Sequence, residues 1–264
     1  MFSVLMSIYA NEKAEYLDEC LKSIVGQTLL PTQVVIVEDG PITIELEDAI
    51  AKYQKCLNIL RVPIKNNGGL AKALNIGLNF CDNDVIARMD ADDICESHRF
   101  EKQYSYLEKN PAIAALSAGI TEYNQTMTKI IKHKILPSSH EELLKFSKFR
   151  SPLNHPAVMY RKQAILSVGG YPEFFPEDYF LWIKLICNGF MIANLSESLI
   201  KMRVGDALSD RRGWQFLPGE LKTLSYMKKH KMVNFLEYLL IFYARGVLRL
   251  SPKWLRRLFY KIFR

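Results

Sequence analysis

Met89-Asp90-Ala91-Asp92-Asp93 places three carboxylates within four positions at the end of an apolar run, Asp84-Val85-Ile86-Ala87-Arg88-Met89. The run reads as a buried strand. Strands of open α/β sheets end at the crevice where ligands bind. Acids crowded there repel one another unless a positive charge sits among them. A divalent cation shared with a phosphorylated substrate meets that need, because hard cations take carboxylate and phosphate oxygens together. The plain alternative is an acidic turn, with Asp93 capping a helix from Ile94 onward. A bare D-x-D is common by chance, so the surrounding elements must decide.

Those elements alternate. Ser3–Tyr9 is a short apolar strand, and Glu15–Gln27 has a helical face of Leu17, Leu21, Ile24 and Val25. Gln33–Val37 is a second buried strand, stopping at the turn signature Glu38-Asp39-Gly40-Pro41. Leu46–Cys56 reads as a helix and Asn58–Val62 as a strand. Asn66-Asn67-Gly68-Gly69 then turns into a helix over Leu70–Phe80, which leads to the strand before the acids. This alternation predicts an α/β fold with a doubly wound, Rossmann-like first half and a central, mostly parallel sheet. The second half is less regular. Ala112–Ile120 reads as a strand, Thr121–Lys134 as a hairpin, Ser138–Glu142 as a helix start with a capping box, and Tyr179–Asn188 as a helix.

The 264 residues carry 49% apolar and 24% charged side chains, an ordinary globular balance. The net charge of +7 is unevenly spread. Leu221–Arg264 holds eleven Lys and Arg against the single acid Glu237, so the body is mildly acidic and the tail strongly basic. Beyond Pro252, Trp254, Leu255, Leu258, Phe259 and Ile262 share one helical face, and Lys253, Arg256, Arg257, Lys261 and Arg264 the other. Such a basic amphipathic helix suits an anionic membrane surface. The competing reading is a helix docked on the body with its basic face in water. The apolar block Phe235–Ala244 before it is too short to span a bilayer. The first ten residues lack a basic leader and read as a strand, not a signal peptide. Five cysteines without a C-x-x-C pair argue against a zinc site or disulfide scaffold, and fit a reducing compartment.

Six ordered motifs carry a family likeness: Ser7-Ile8-Tyr9-Ala10-Asn11-Glu12, Ser23–Thr28, Val35–Gly40, Gly69–Asn75, Ala87–Asp93 and Glu177–Trp182. Over most of residues 1–215 the chain resembles the bacterial family 2 glycosyltransferases of the GT-A fold, especially those that build O-antigen and capsule repeat units. The resemblance implies a GT-A domain over 1–215, with a nucleotide-binding half (1–93) and an acceptor-binding half (94–215). Residues 216–264 would form a basic amphipathic helical tail. It implies an inverting transfer of a hexose from a UDP-sugar to a sugar on a polyprenyl diphosphate. The enzyme would be cytoplasmic, peripheral on the inner face of the bacterial inner membrane, with no nucleic-acid partner.

The same resemblance assigns roles. Asp39 would accept hydrogen bonds from the uracil edge and Tyr9 would lie against its ring. Asp90 would contact the ribose. Asp92 would be the direct ligand of Mn2+ or Mg2+, supported by Asp93. Lys72 and Arg88 are basic candidates nearby. Relatives often carry Arg before the Asn of the Gly-rich helix, whereas this chain has Leu74 there. Asp178 is the expected general base, within reach of the acceptor hydroxyl, and Glu177 would orient the acceptor sugar. The plain reading of Asp178 is an N-cap. His155 lies on a loop where it could meet donor phosphate or acceptor. Arg203, Arg211 and Arg212, after the last strand, would close over the diphosphate.

Two other readings compete. A sugar-phosphate nucleotidyltransferase would need a Gly- and Arg-rich phosphate loop at the first strand, which Ser7–Glu12 lacks. A lipid- or nucleic-acid-binding adaptor would leave the separated acidic motifs unexplained. Dehydrogenase chemistry is disfavoured, since Gly68-Gly69 lacks the dinucleotide glycine spacing.

Overall fold

The computed structural model describes residues 1–205 and 214–251. Four parallel strands build the first half: β1 (Phe2–Ile8), β2 (Gln33–Asp39), β3 (Ile59–Ile64) and β4 (Val85–Arg88). Helices α1 (Ala14–Val25), α2 (Ile44–Ala51) and α3 (Leu70–Phe80) connect them. The second half adds β5 (Ile94–Cys95), α4 (Arg99–Lys109), β6 (Ile113–Tyr123), β7 (Ile130–Lys134) and α5 (His140–Ser147). A 3-10 turn (His155–Ala157), β8 (Met159–Arg161), α6 (Lys162–Ser167), α7 (Glu177–Cys187) and β9 (Met191–Arg203) follow. The strands form one α/β sheet in the order β3-β2-β1-β4-β8-β6-β9-β5, with β7 on β6. It is parallel through β3-β2-β1-β4 and mixed beyond, where β8 runs antiparallel to β4 and β6.

Side-chain alternation builds the two faces. Val4, Met6, Ile8, Val34 and Ile36 pack with Leu17, Leu21 and Ile24 of α1. Leu5, Val35 and Val37 point the other way, against Leu74 and Leu78 of α3 and Leu181 and Trp182 of α7. Gly77 lets α3 lie close to the sheet: a Cβ there would fall 2.4 Å from Leu5 Cδ1 and 2.6 Å from Val37 Cγ2. Leu74, the departure from the resembling family, is buried in this layer.

Three local expectations change. Ile94-Cys95 pairs with β9 as a strand, so Asp93 caps no helix. The helix after Pro176 begins at Glu177, so both acids occupy its first turn and neither is the N-cap. Negative charge is favourable at that end of a helix. The apolar block at 235–244 is part of a longer helix. After a 3-10 turn (Trp214–Phe216), α8 (Leu217–Lys229) and α9 (Phe235–Leu250) form a pair packed on α7. Arg245 and Arg249, which end the apolar run in the sequence, turn inward. Arg249 pairs with Glu220, and Arg245 donates to the Glu220 carbonyl (2.7 Å) and to Tyr179 Oη (2.9 Å). The opposite face of α9 exposes Leu236, Leu240, Tyr243, Val247 and Leu250, a stripe at helical spacing. Among the described residues no helix is long and apolar enough to cross a membrane. The expected basic helix beyond Pro252 lies outside the described residues.

Candidate active site

Strand β1 lies between β2 and β4 and runs parallel to both, with Ile8 opposite Glu38 and Leu5 opposite Arg88. The loops leaving these strands therefore rise from one edge of the sheet. That edge carries Tyr9, Asp39 and Asp90–Asp93, although 30 positions separate Tyr9 from Asp39 and 51 separate Asp39 from Asp90. Tyr9 is exposed at the end of β1. Asp39 is buried and accepts from the amides of Gly68 (2.7 Å) and Gly69 (2.8 Å). These bonds tie it to the loop before α3 and use one lone pair on each oxygen, leaving others free. The Lys72 stem lies across Gly68, so its ammonium belongs to this corner.

Asp90, Asp92 and Asp93 bring carboxylate oxygens within 4.8 Å of one another. Each is held differently. Asp90 pairs with the guanidinium of Arg88, whose backbone carbonyl is gripped by buried Arg99. Asp93 is buried; its Oδ1 accepts from the Arg203 amide (2.9 Å), and its Oδ2 has no partner. The Asp92 carbonyl accepts from Arg203 Nε (3.0 Å). Burial, then the Asp90 charge, pushes the Asp92 carboxyl up to about 6. Burial and both neighbours push Asp93 upward as well. Arg88 and Arg203 offset the acids only in part: Asp92 and Asp93 stay raised, and Asp93 Oδ2 has no partner. An all-oxygen donor set of this kind fits Mg2+ or Mn2+.

Glu177 and Asp178 form another wall. The Glu177 carboxyl is pushed up to about 7 by burial, then by Asp178, and Asp90 adds in the same direction. The two acidic sets are thus electrostatic neighbours, although 87 positions separate Asp90 from Glu177. Asp178 Oδ2 lies 3.4 Å from Ser151 Oγ. His155 is on the 3-10 turn, not an open loop. It is buried, with Nε2 3.2 Å from Tyr171 Oη and its ring against Trp182. Burial, then nearby Arg88, lowers its basicity and keeps it neutral.

Arg203 departs from expectation. It ends β9 and turns beneath the acids, donating to Glu19, the Gln125 carbonyl and the Asp92 carbonyl, with Tyr16 stacked on it. That side chain braces the D-x-D turn and is not free to close over a diphosphate. Arg211 and Arg212 lie outside the described residues. Two residues received no role from the sequence. Glu12 is pushed up to about 7 by burial, then by Asp92 and Asp90, so it faces the acids. Its signal was its position three residues past Tyr9, at the same sheet edge. Ser151 had no signal beyond its place beside Pro152.

A profile of the family described as "Glycosyl transferase family 2" matches residues 3–169. The amylovoran biosynthesis glycosyltransferase AmsE of Erwinia amylovora is 38% identical over 96% of this chain and 95% of its own. A UDP-Gal:alpha-D-GlcNAc-diphosphoundecaprenol beta-1,3-galactosyltransferase of Escherichia coli is 37% identical over 98% and 95%. Among solved structures, S. aureus TarS 1-349 in complex with UDP-GlcNAc superposes with a TM-score of 0.71 at 19% identity, covering 93% of this chain and 72% of that one. At that identity the likeness speaks for the fold.

Proposed function

The chain belongs to glycosyl transferase family 2, and from that premise we propose an inverting, divalent-metal-dependent hexosyltransferase that uses a UDP-sugar. The acceptor would be a sugar on a polyprenyl diphosphate, in O-antigen or capsule repeat-unit synthesis. The observation that carries the reading is the meeting of two acidic sets with different needs. One set is short of positive charge and sits at the strand ends. The other heads a helix, with Asp178 at the crevice and without a basic partner among its described hydrogen bonds.

In this reading the uracil lies against Tyr9, with Asp39 accepting from its edge through the lone pairs the glycine amides leave free. Asp90 takes the ribose. Asp92, supported by Asp93, holds Mn2+ or Mg2+, which would supply positive charge beside the donor diphosphate. Lys72, Arg211 and Arg212 add cationic contacts to the phosphates. Glu177 orients the acceptor sugar. Asp178 accepts the proton of the acceptor hydroxyl as that oxygen attacks the anomeric carbon from the face opposite the leaving UDP, inverting the centre. Buried His155 acts behind the wall by fixing Tyr171.

The exposed stripe of α9 and the basic residues of the C-terminal segment support a peripheral site on an anionic membrane, the inner face of the bacterial inner membrane. An enzyme whose acceptor is lipid-anchored gains by staying at that surface. The E. coli galactosyltransferase named above, with its diphosphoundecaprenol-linked acceptor, supports the choice of acceptor class.

The test is a donor screen with the full chain, a synthetic lipid-diphosphate-linked sugar and Mn2+. Transfer from a UDP-hexose with inversion at the new bond is expected, and EDTA should abolish it. No transfer from any donor would overturn the reading, and undiminished turnover in EDTA would remove the metal.

A further inference from the structure

A groove of about 580 Å³ runs between the segment before α7 and the outer face of α8. Its floor is aromatic. Phe174, Phe180 and Tyr226 form a row with successive ring centroids 5.0 and 5.2 Å apart, and Leu221 extends it. The charged residues that line it are both lysines, Lys222 and Lys229. Lys222 Nζ sits 4.6 Å from the Phe174 centroid, so a cation is held directly over apolar floor. The acid of the same helix, Glu220, faces away and is occupied by Arg249.

An apolar trough with a cationic rim matches one kind of molecule: an apolar chain ending in a multiply charged anion. We propose that this groove seats the isoprenoid-diphosphate portion of the lipid-linked acceptor, with the first isoprenoid units on the aromatic row and the diphosphate at Lys222 and Lys229. The assignment rests on the acceptor class proposed above. Groove and chemistry share one element, because Phe174 lies four residues before Asp178 and Phe180 two after it. A lipid held here is therefore tethered to the same helix that carries the proposed base. The chain's own basic C-terminal segment is a poor occupant, since Lys253, Arg256 and Arg257 would bring like charge to the rim.

The test measures binding of farnesyl diphosphate to the full chain by equilibrium dialysis, with farnesol and inorganic pyrophosphate as controls. A photoreactive farnesyl diphosphate locates the site by peptide mapping. Two variants alter exposed positions on α8: Lys222→Glu with Lys229→Glu, and Ser225→Trp, which fills the trough. UDP binding in Mn2+ reports that each variant is folded. Farnesyl diphosphate should bind saturably and label residues 174–180 or 217–229. Each variant should weaken it at least about tenfold, the loss expected when charge-assisted contacts or an apolar seat are removed. Unchanged affinity in both variants, labelling elsewhere, or farnesol binding as tightly as its diphosphate would overturn the proposal. The last result would mark the surface as a plain bilayer or protein contact. Acceptor kinetics separate this failure from that of the acceptor class. Wild-type transfer to a lipid-diphosphate-linked sugar, with an unchanged acceptor KM in both variants, sinks the groove alone. Groove labelling without transfer to any such acceptor sinks the acceptor class alone.

Discussion

The acids at the end of β4 and those at the start of α7 converge on one crevice, yet they are supported in opposite ways. Asp90 leans on Arg88, and the Asp92-Asp93 turn hangs on Arg203, both guanidiniums buried in the body of the sheet domain. Glu177 and Asp178 have a helix N-terminus and Ser151 instead. Their helix is held from behind by α8 and α9, through Tyr179, Arg245 and Glu220. The family profile covers the first set and stops at residue 169, short of the second. The difference teaches that, in the proposed reading, the donor side belongs to the shared core. The proposed acceptor side leans on a helical pair outside that core, where the lipid-linked substrate of that reading would be met.

The sharpest break of this comparison separates the two sets chemically. Asp178→Asn should lower kcat by roughly 10³-fold, the middle of the range for loss of a general base, while UDP binding in Mn2+ stays near wild type. Asp92→Asn should do the converse, abolishing the Mn2+ dependence of UDP binding. Titration calorimetry with UDP, with and without Mn2+, distinguishes the two. Equal loss of UDP binding in both variants would collapse the distinction.

Next in size is the support behind α7. Arg249→Met strands Glu220, which is 11% exposed, so the variant should lose about 3 kcal/mol of stability. Because α9 then grips α7 less firmly, acceptor KM should rise and UDP affinity should hold. Denaturant unfolding together with both affinities checks this. A variant that loses UDP binding in step with acceptor binding would show that the two walls are not independently supported.

How much of this was legible in the sequence follows the same divide. The β4 acids, Asp39 and Tyr9 could be placed at one edge, because parallel strands of buried apolar residues end together and each run stops at a polar turn. The hairpin at 121–134 and the Ser139–Glu142 capping box were also readable, since both are local signals. Arg203 was not. Its role depends on the β9–β5 pairing, which brings it under a turn 110 residues earlier, and no periodicity encodes that. The length of α9 was hidden for a related reason. Arg245 and Arg249 look like the end of an apolar block until Glu220 supplies their partner. Glu12 was visible as a residue of a motif, but its burial among other acids needed three dimensions.

A smaller effect tests whether the added helices also face a membrane. Leu240→Glu with Val247→Glu changes two exposed positions on α9, so stability should move by less than about 1 kcal/mol. Partition onto vesicles containing anionic lipid should nevertheless fall about tenfold, because the exposed apolar stripe supplies part of the interfacial affinity. Unchanged co-sedimentation would move the contact to the C-terminal segment alone, and a large loss of stability would mean the stripe is packed rather than free.

The smallest effect concerns proton linkage at the acceptor side. Glu177 is raised from 4.5 to about 7 in the folded chain, whereas the unfolded carboxyl titrates near its ordinary value. Between those pH values the native state binds more protons than the unfolded one, so this group's contribution is fully present below about pH 4.5 and is lost as pH rises through 7. Glu177→Gln keeps the shape without the charge and should flatten that part of the profile. In wild type without metal, the melting temperature should fall by a few degrees from pH 5 to pH 8, about 1 kcal/mol after allowance for solvent at the crevice. The variant should keep only the share that comes from the β4 acids and Glu12. Added Mn2+ should remove most of what remains on the donor side and leave the Glu177 share in place, because the cation offsets Asp92 and not α7. A profile that Mn2+ flattens completely in wild type would show that the two acidic sets titrate as one.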